Sequence, residues 1–117
     1  MKRGNLVTIA ISGDYGKPRP ALVIQADPFA SLASVTLLRL TSDLGPENLL
    51  RLTVQPNSAN GLRLPSQIMI DKAATVPREK IGKVFGVLDD TQMRMVSRAL
   101  AAFLGLDDAL ASPPPML

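Results

Sequence analysis

The chain has 117 residues and a formal net charge of +3, and it is 46% hydrophobic but only 3% aromatic. That suits one domain with an aliphatic core and is too apolar for a disordered chain. There is no Cys and no His, which excludes disulfides, thiol nucleophiles and a Ser-His triad and leaves a zinc site without its usual ligands.

Met1 to Asn5 has no apolar h-region behind it, so it is not a secretory signal. No apolar run approaches the ~20 residues of a membrane span, and the reading is a cytoplasmic protein. Leu6 to Ile11 is a first strand, rich in β-branched residues. A loop follows, Gly13-Asp14-Tyr15-Gly16-Lys17-Pro18-Arg19-Pro20, whose glycines and prolines break both helix and strand. Ala21 to Gln25 is a short buried strand. Arg19 stands before Pro20, which pushes it out of the helical region and holds it extended at the mouth of that strand. A guanidinium fixed there, beside a basic loop, suits a phosphate. The same residues also suit a hairpin loop with solvated charges, and composition leaves both open.

Ser34 to Leu40 is a third strand, apolar on both faces and therefore central. Thr41-Ser42-Asp43 ends it. Leu50 to Val54 alternates as a half-exposed strand. Ser66 to Asp71 is the next, with Ile68 and Ile70 on the core face and Gln67, Met69 and Asp71 on the other. Ala74 to Val76 extends it after a bend. Pro77 to Gly82 reads as a helical turn, and Lys83 to Leu88 as a last strand.

The one long helix is Asp90 to Leu104. Asp89 is its N-cap and Gln92 completes a capping box. Met93, Val96, Leu100, Phe103 and Leu104 form a stripe expected to pack on the sheet. Gly105 is a natural stop, and residues 107–117, with three consecutive prolines, read as a flexible tail behind a domain of residues 1–106. Strands first and a helix last, without βαβ alternation, predict an α+β, mainly β fold: a small antiparallel barrel with a C-terminal helix.

Few constellations carry chemistry. The acidic pairs Asp89-Asp90 and Asp107-Asp108 are explained by a helix N-terminus and a tail, so no metal or other cofactor is expected. Gly13-x-x-Gly16-Lys17 lacks the spacing and the following Ser/Thr of a P-loop. Phe85 and Phe103 read as core, leaving Tyr15 as the base-stacking candidate.

Taken together the residues resemble the MazF/PemK toxins of type II toxin–antitoxin systems. The matching pieces are Arg3-Gly4, Gly13-Asp14 with Lys17-x-Arg19-Pro20 and Leu22-Val23-Ile24-Gln25, and Leu40-Thr41-Ser42. Ser66-Gln67-Ile68-Met69-Ile70-Asp71-Lys72 and Gly86-x-Leu88-Asp89-Asp90 follow, in order and with compatible spacing. The resemblance implies an SH3-like barrel that forms a homodimer, cuts single-stranded RNA without metal, inhibits translation and growth, and is held by a small acidic antitoxin. The 2′-hydroxyl attacks the adjacent phosphate and leaves a 2′,3′-cyclic phosphate and a 5′-hydroxyl. The catalytic positions of the family fall on Arg19, Thr41 and Asp71, and the implied RNA-binding residues are Asp14, Tyr15, Lys17, Gln67 and Lys72. The chain departs from some relatives in having Met69 where they carry an Arg, and in lacking a His in the first loop.

Cleavage needs an acceptor for the 2′-OH proton, a donor for the leaving 5′-oxygen and donors for the phosphorane oxygens. Arg19 suits the last task and is a poor base, because its pKa exceeds ~12. Asp71 can take the proton or orient Arg19. Two alternatives are a non-catalytic gyrase poison, a barrel relative that relies on a C-terminal Trp this chain lacks, and an SH3-like binding module without activity.

Overall fold

The computed structural model describes residues 1–10 and 17–107. Six strands form one antiparallel sheet: β1 (Asn5–Ile9), β2 (Arg19–Val23), β3 (Ser34–Thr41), β4 (Arg51–Val54), β5 (Ser66–Pro77) and β6 (Ile81–Val87). Short 3-10 turns at Asp27–Phe29 and Arg78–Lys80 and one helix, α1 (Asp90–Phe103), complete the described elements. The strand order is β4-β5-β3-β2-β1-β6. The expected fold class holds: a mainly β, SH3-like barrel type of sheet with a C-terminal helix.

β3 is buried on both faces, as its unbroken apolar run requires. Period-two alternation divides the core in two. Leu6, Leu22, Leu38, Leu40, Ile68 and Ile70 pack with Val96 and Ala99 of α1. Val7, Ile9, Ala21, Val23, Val35 and Leu37 form the second core, closed by Ala74, Val76 and Ile81.

β5 is one strand of twelve residues, and the expected bend lies within it. Leu38 pairs Ala73 but Leu40 pairs Ile68, so two steps on β3 span five on β5. A bulge of this kind bends the strand and raises its twist. β2 starts at Arg19 rather than Ala21 and so contains Pro20. The ladder to β3 begins only at Ala21, so the N–H that proline lacks is not missed on that side.

The helix begins as its capping box predicts, with Asp89 Oδ1 accepting from Gln92 N at 2.7 Å. It ends at Gly105, whose φ of +70° is the left-handed stop. The packing stripe is shorter than expected. Val96 and Ala99 are buried, whereas Phe103 and Leu104 are 47% and 59% exposed, because no described residue covers the last turn. The expected tail lies, from residue 108, outside the described residues.

Candidate active site on a cationic groove

A groove of about 690 Å³ lies beside the strand ends, with Leu40 of the first core and Leu62 and Phe85, which pack on that core, in its wall. Its chemistry follows from strand alternation. On β3, Val35 and Leu37 are core, and the next two positions on that face are Arg39 and Thr41. On β2, reading back from Val23 and Ala21, the next is Arg19. The strands thus carry apolar side chains inward and polar ones to the mouth. Arg19, Arg39 and Thr41 all line the groove.

The register brings these residues together. Ala21 pairs Arg39 and Leu22 pairs Leu38. The ladder stops at the Ala21–Arg39 pair; Arg19 and Thr41 each lie two residues beyond it on their strands, and both line the groove. Arg19 is exposed, whereas Arg39 and Thr41 are half-buried. Thr41 Oγ1 accepts from the backbone N–H of Asp43 at 3.0 Å, so the hydroxyl proton remains available for donation to a bound group.

The opposite wall comes from the β4–β5 loop. This loop returns to β6, where Val87 N donates to Ala59 O at 2.9 Å. Two glycines permit the approach. A Cβ on Gly86 would lie 2.0 Å from Asn60 O, and one on Gly61, whose φ is +66°, would lie 2.5 Å from Phe85 O. The loop thereby places Arg63 over the groove, facing Lys83 and Phe85 of β6. Among the described lining residues, Arg19, Arg39, Arg63 and Lys83 are cations and Asp43 is the one acid.

Three expected site residues sit elsewhere. Asp71 does not line the groove. Its carboxylate accepts from the Arg51 guanidinium of β4 and lies 3.9 Å from Lys72 Nζ. The hydrogen bond from Arg51 holds the Asp71 carboxyl below its ordinary value of 3.8. The bend in β5 accounts for this: it carries Asp71 away from β3 toward β4. Gln67, expected to bind RNA, is a buried residue, 2% exposed. Gly45 and Thr53 lie against the strand face opposite Ile68 and Ile70, and both ends of the Gln67 amide bond to them. Lys72 is exposed but off the groove.

Lys17 is exposed two residues before Arg19, and Asp14 and Tyr15 lie outside the described residues. Phe85, expected as core, is half-buried and lines the groove, and Phe103 is exposed. Arg39 had a signal in the sequence, the period-two step from Val35 and Leu37. Asp43, Arg63 and Lys83 had none, since loop packing brings them in. The Arg3-Gly4 motif is structural: the Arg3 guanidinium donates to Ile24 O and to Ser97 Oγ, the latter at 2.6 Å, tying the N-terminus to β2 and α1.

Comparison with known proteins agrees with this architecture. Residues 2–104 match the family described as the PemK-like, MazF-like toxin of type II toxin-antitoxin system. A probable endoribonuclease MazF of Mycolicibacterium smegmatis is 45% identical over 107 residues, covering 91% of this chain and 98% of that protein. The solved Mycobacterium tuberculosis toxin MazF-mt6 superposes with a TM-score of 0.75 at 23% identity, covering 88% of this chain and 98% of its own. An endoribonuclease in complex with its cognate antitoxin, from mycobacterial species, gives 0.76 at 21% identity, covering 98% and 99%. A MazE-MazF complex from Deinococcus radiodurans gives 0.75 at 18% identity, covering 92% and 97%. With the fold, the ordered motifs and the match over residues 2–104 in agreement, the chain belongs to the PemK-like, MazF-like toxin family of type II toxin–antitoxin systems.

Proposed function

We propose that this chain is an endoribonuclease toxin that cuts single-stranded RNA by transesterification in the cationic groove. The observation that carries the reading is that Arg19 and Thr41 line one groove together with Arg39, Arg63 and Lys83. In the proposed step the 2′-oxygen forms a bond to phosphorus and gives its proton to a carboxylate, the bond from phosphorus to the 5′-oxygen breaks, the leaving 5′-oxygen takes a proton from water, and no redox partner is needed. The products are a 2′,3′-cyclic phosphate and a 5′-hydroxyl. Arg19 stabilises charge on the equatorial phosphoryl oxygens through two N–H donors. Thr41, whose oxygen is occupied by Asp43 N–H, donates its proton to the same phosphate. Asp43 is the carboxylate positioned to accept the 2′-OH proton.

Asp71 enters as a supporting residue. A carboxylate held below 3.8 by Arg51 is a weak base near neutral pH, and its ion pair fixes β4 against the bend of β5. Arg39, Arg63 and Lys83 in the groove, and the exposed Lys17 and Lys72 outside it, hold the RNA backbone, and Phe85 offers a face for base stacking. Among the described residues there is no group of three or more His, Cys, Asp or Glu that could hold a metal ion, and the proposed reaction is metal-independent. No helix among them is long and apolar enough to cross a membrane. The proposal extends to a cytoplasmic homodimer, inhibiting translation and growth and restrained by a small acidic antitoxin laid along the basic groove.

The test uses a single-stranded RNA that the protein cuts at a mapped site, with EDTA present. Replacing the 2′-hydroxyl at that site by hydrogen is expected to abolish cutting there and leave other sites unaffected. Cleavage that continues through the 2′-deoxy position, or that requires added magnesium, would contradict the mechanism.

A further inference from the structure

Gln67 is among the buried polar residues of the chain; two of its three side-chain bonds go to Gly45 in the loop after Thr41, and the third goes to Thr53 of β4. Its Oε1 accepts from Gly45 N at 3.1 Å. Its Nε2 donates to Gly45 O at 2.8 Å and to Thr53 Oγ1 at 3.2 Å. Gln67 thus captures both polar groups of one residue, as a neighbouring strand would. It is also the residue paired with Thr41 across the β3–β5 ladder. Its backbone fixes Thr41 from the side, and its side chain fixes the chain four residues further on.

Residues 42–49 are all exposed, so the loop has little packing to hold it. The turn Thr41-Ser42-Asp43 is pinned at its start by the ladder and by the Thr41–Asp43 hydrogen bond. Its far end is pinned by the Gln67–Gly45 pair. We propose that Gln67 is a positioning residue for this turn: it touches no RNA, but it sets where the Thr41 hydroxyl and the Asp43 carboxylate stand. The proposal rests on the endoribonuclease reading above. Misplacing a catalytic turn costs the chemical step more than it costs binding, and that predicts a split between rate and affinity.

Gln67→Met keeps much of the volume and removes all three bonds. Gln67→Glu keeps the shape but sets a carboxylate oxygen against Gly45 C=O. Single-turnover cleavage and binding are measured on one RNA, below the melting temperature of each variant, with amide hydrogen exchange at Gly45. Both variants are expected to cut at least ~10-fold more slowly, to bind RNA within about threefold of wild type, and to exchange the Gly45 amide at least ~10-fold faster. Thr53→Val removes one of the three bonds and leaves the Gly45 pair, so it is expected to cut at the wild-type rate.

A Gln67 variant with fast Gly45 exchange and an unchanged cleavage rate would overturn the proposal. So would a Thr53→Val rate loss equal to that of Gln67→Met, which would mark a general loss of packing. If the Gln67 variants do not fold, wild type alone decides. Its Gly45 amide is expected to be protected relative to Leu44, and equal exchange of the two would overturn the proposal. A wild-type protein that protects Gly45 but cuts no RNA would instead remove the functional reading beneath it.

Discussion

Asp43 and Asp71 are both carboxylates near the site strands, and their partners give them different work. Asp43 stands at the groove with its backbone N–H on Thr41. Asp71 is turned to Arg51 and held below 3.8. A group whose folded pKa is depressed adds stability above its unfolded pKa and loses it as pH falls through the folded value. The Asp71 contribution is therefore complete at pH 5 and above, declines below about 3.8, and is gone beneath the folded value. Thermal melts of wild type and Asp71→Asn at a series of pH values should show a constant gap from pH 8 to about 5. The gap should close only in the acid range. A gap that changes between pH 5 and 7 would mean that Asp71 titrates near neutrality and is free to serve as a base. The sequence placed Arg19 correctly because a proline on each side fixes its backbone. Alternation put Gln67 and Asp71 on one strand face, but it cannot register a loop that folds over a strand, or a bulge that turns one.

At the scale of elements, the groove exists because the β4–β5 connection folds back onto β6. Asn60 staples that connection from inside: its Nδ2 donates to Gln55 O at 2.9 Å, and its Oδ1 accepts from Asn57 N and Leu62 N, each at 3.0 Å. The contact closes only where β6 carries no side chain. Gly86→Ala would set a Cβ against the Asn60 backbone, where neither neighbour can yield by a rotamer change. The expected cost is about 1–3 kcal/mol, the scale of overpacking a tight site, with RNA binding weakened as Arg63 shifts. Urea denaturation and an RNA titration check both effects, and a variant of wild-type stability would contradict the close packing. The succession of strands before a helix, the doubly buried β3 and the capped helix were all legible, because each is a local pattern. The returning loop was not, because its turn-rich sequence specifies bends and does not specify the surface they land on.

For the whole molecule, a net charge of +3 understates the field at the site, where four cations face one acid among the described lining residues. Binding to a non-cleavable single strand should fall with salt. Three or four neutralised phosphates imply a slope of about −2 to −3 in log affinity against log salt. Fluorescence anisotropy across a potassium chloride series measures it, and a slope near zero would remove the groove as the RNA path. The family resemblance read from ordered motifs supplied Arg19 and Thr41 as candidates. The fold adds that they line one groove, which no linear spacing could give. The most direct measurement for the account is single-turnover cleavage and binding of one RNA by wild type and Arg19→Lys, with a thermal melt alongside. Lys keeps the charge but loses the planar two-donor fork. The account predicts binding within about tenfold, a cleavage rate lower by ~10²-fold or more, and an unchanged melt, since an exposed cation adds little stability. Cleavage by Arg19→Lys at the wild-type rate would show Arg19 to be only a phosphate-binding surface residue and would contradict the proposed site.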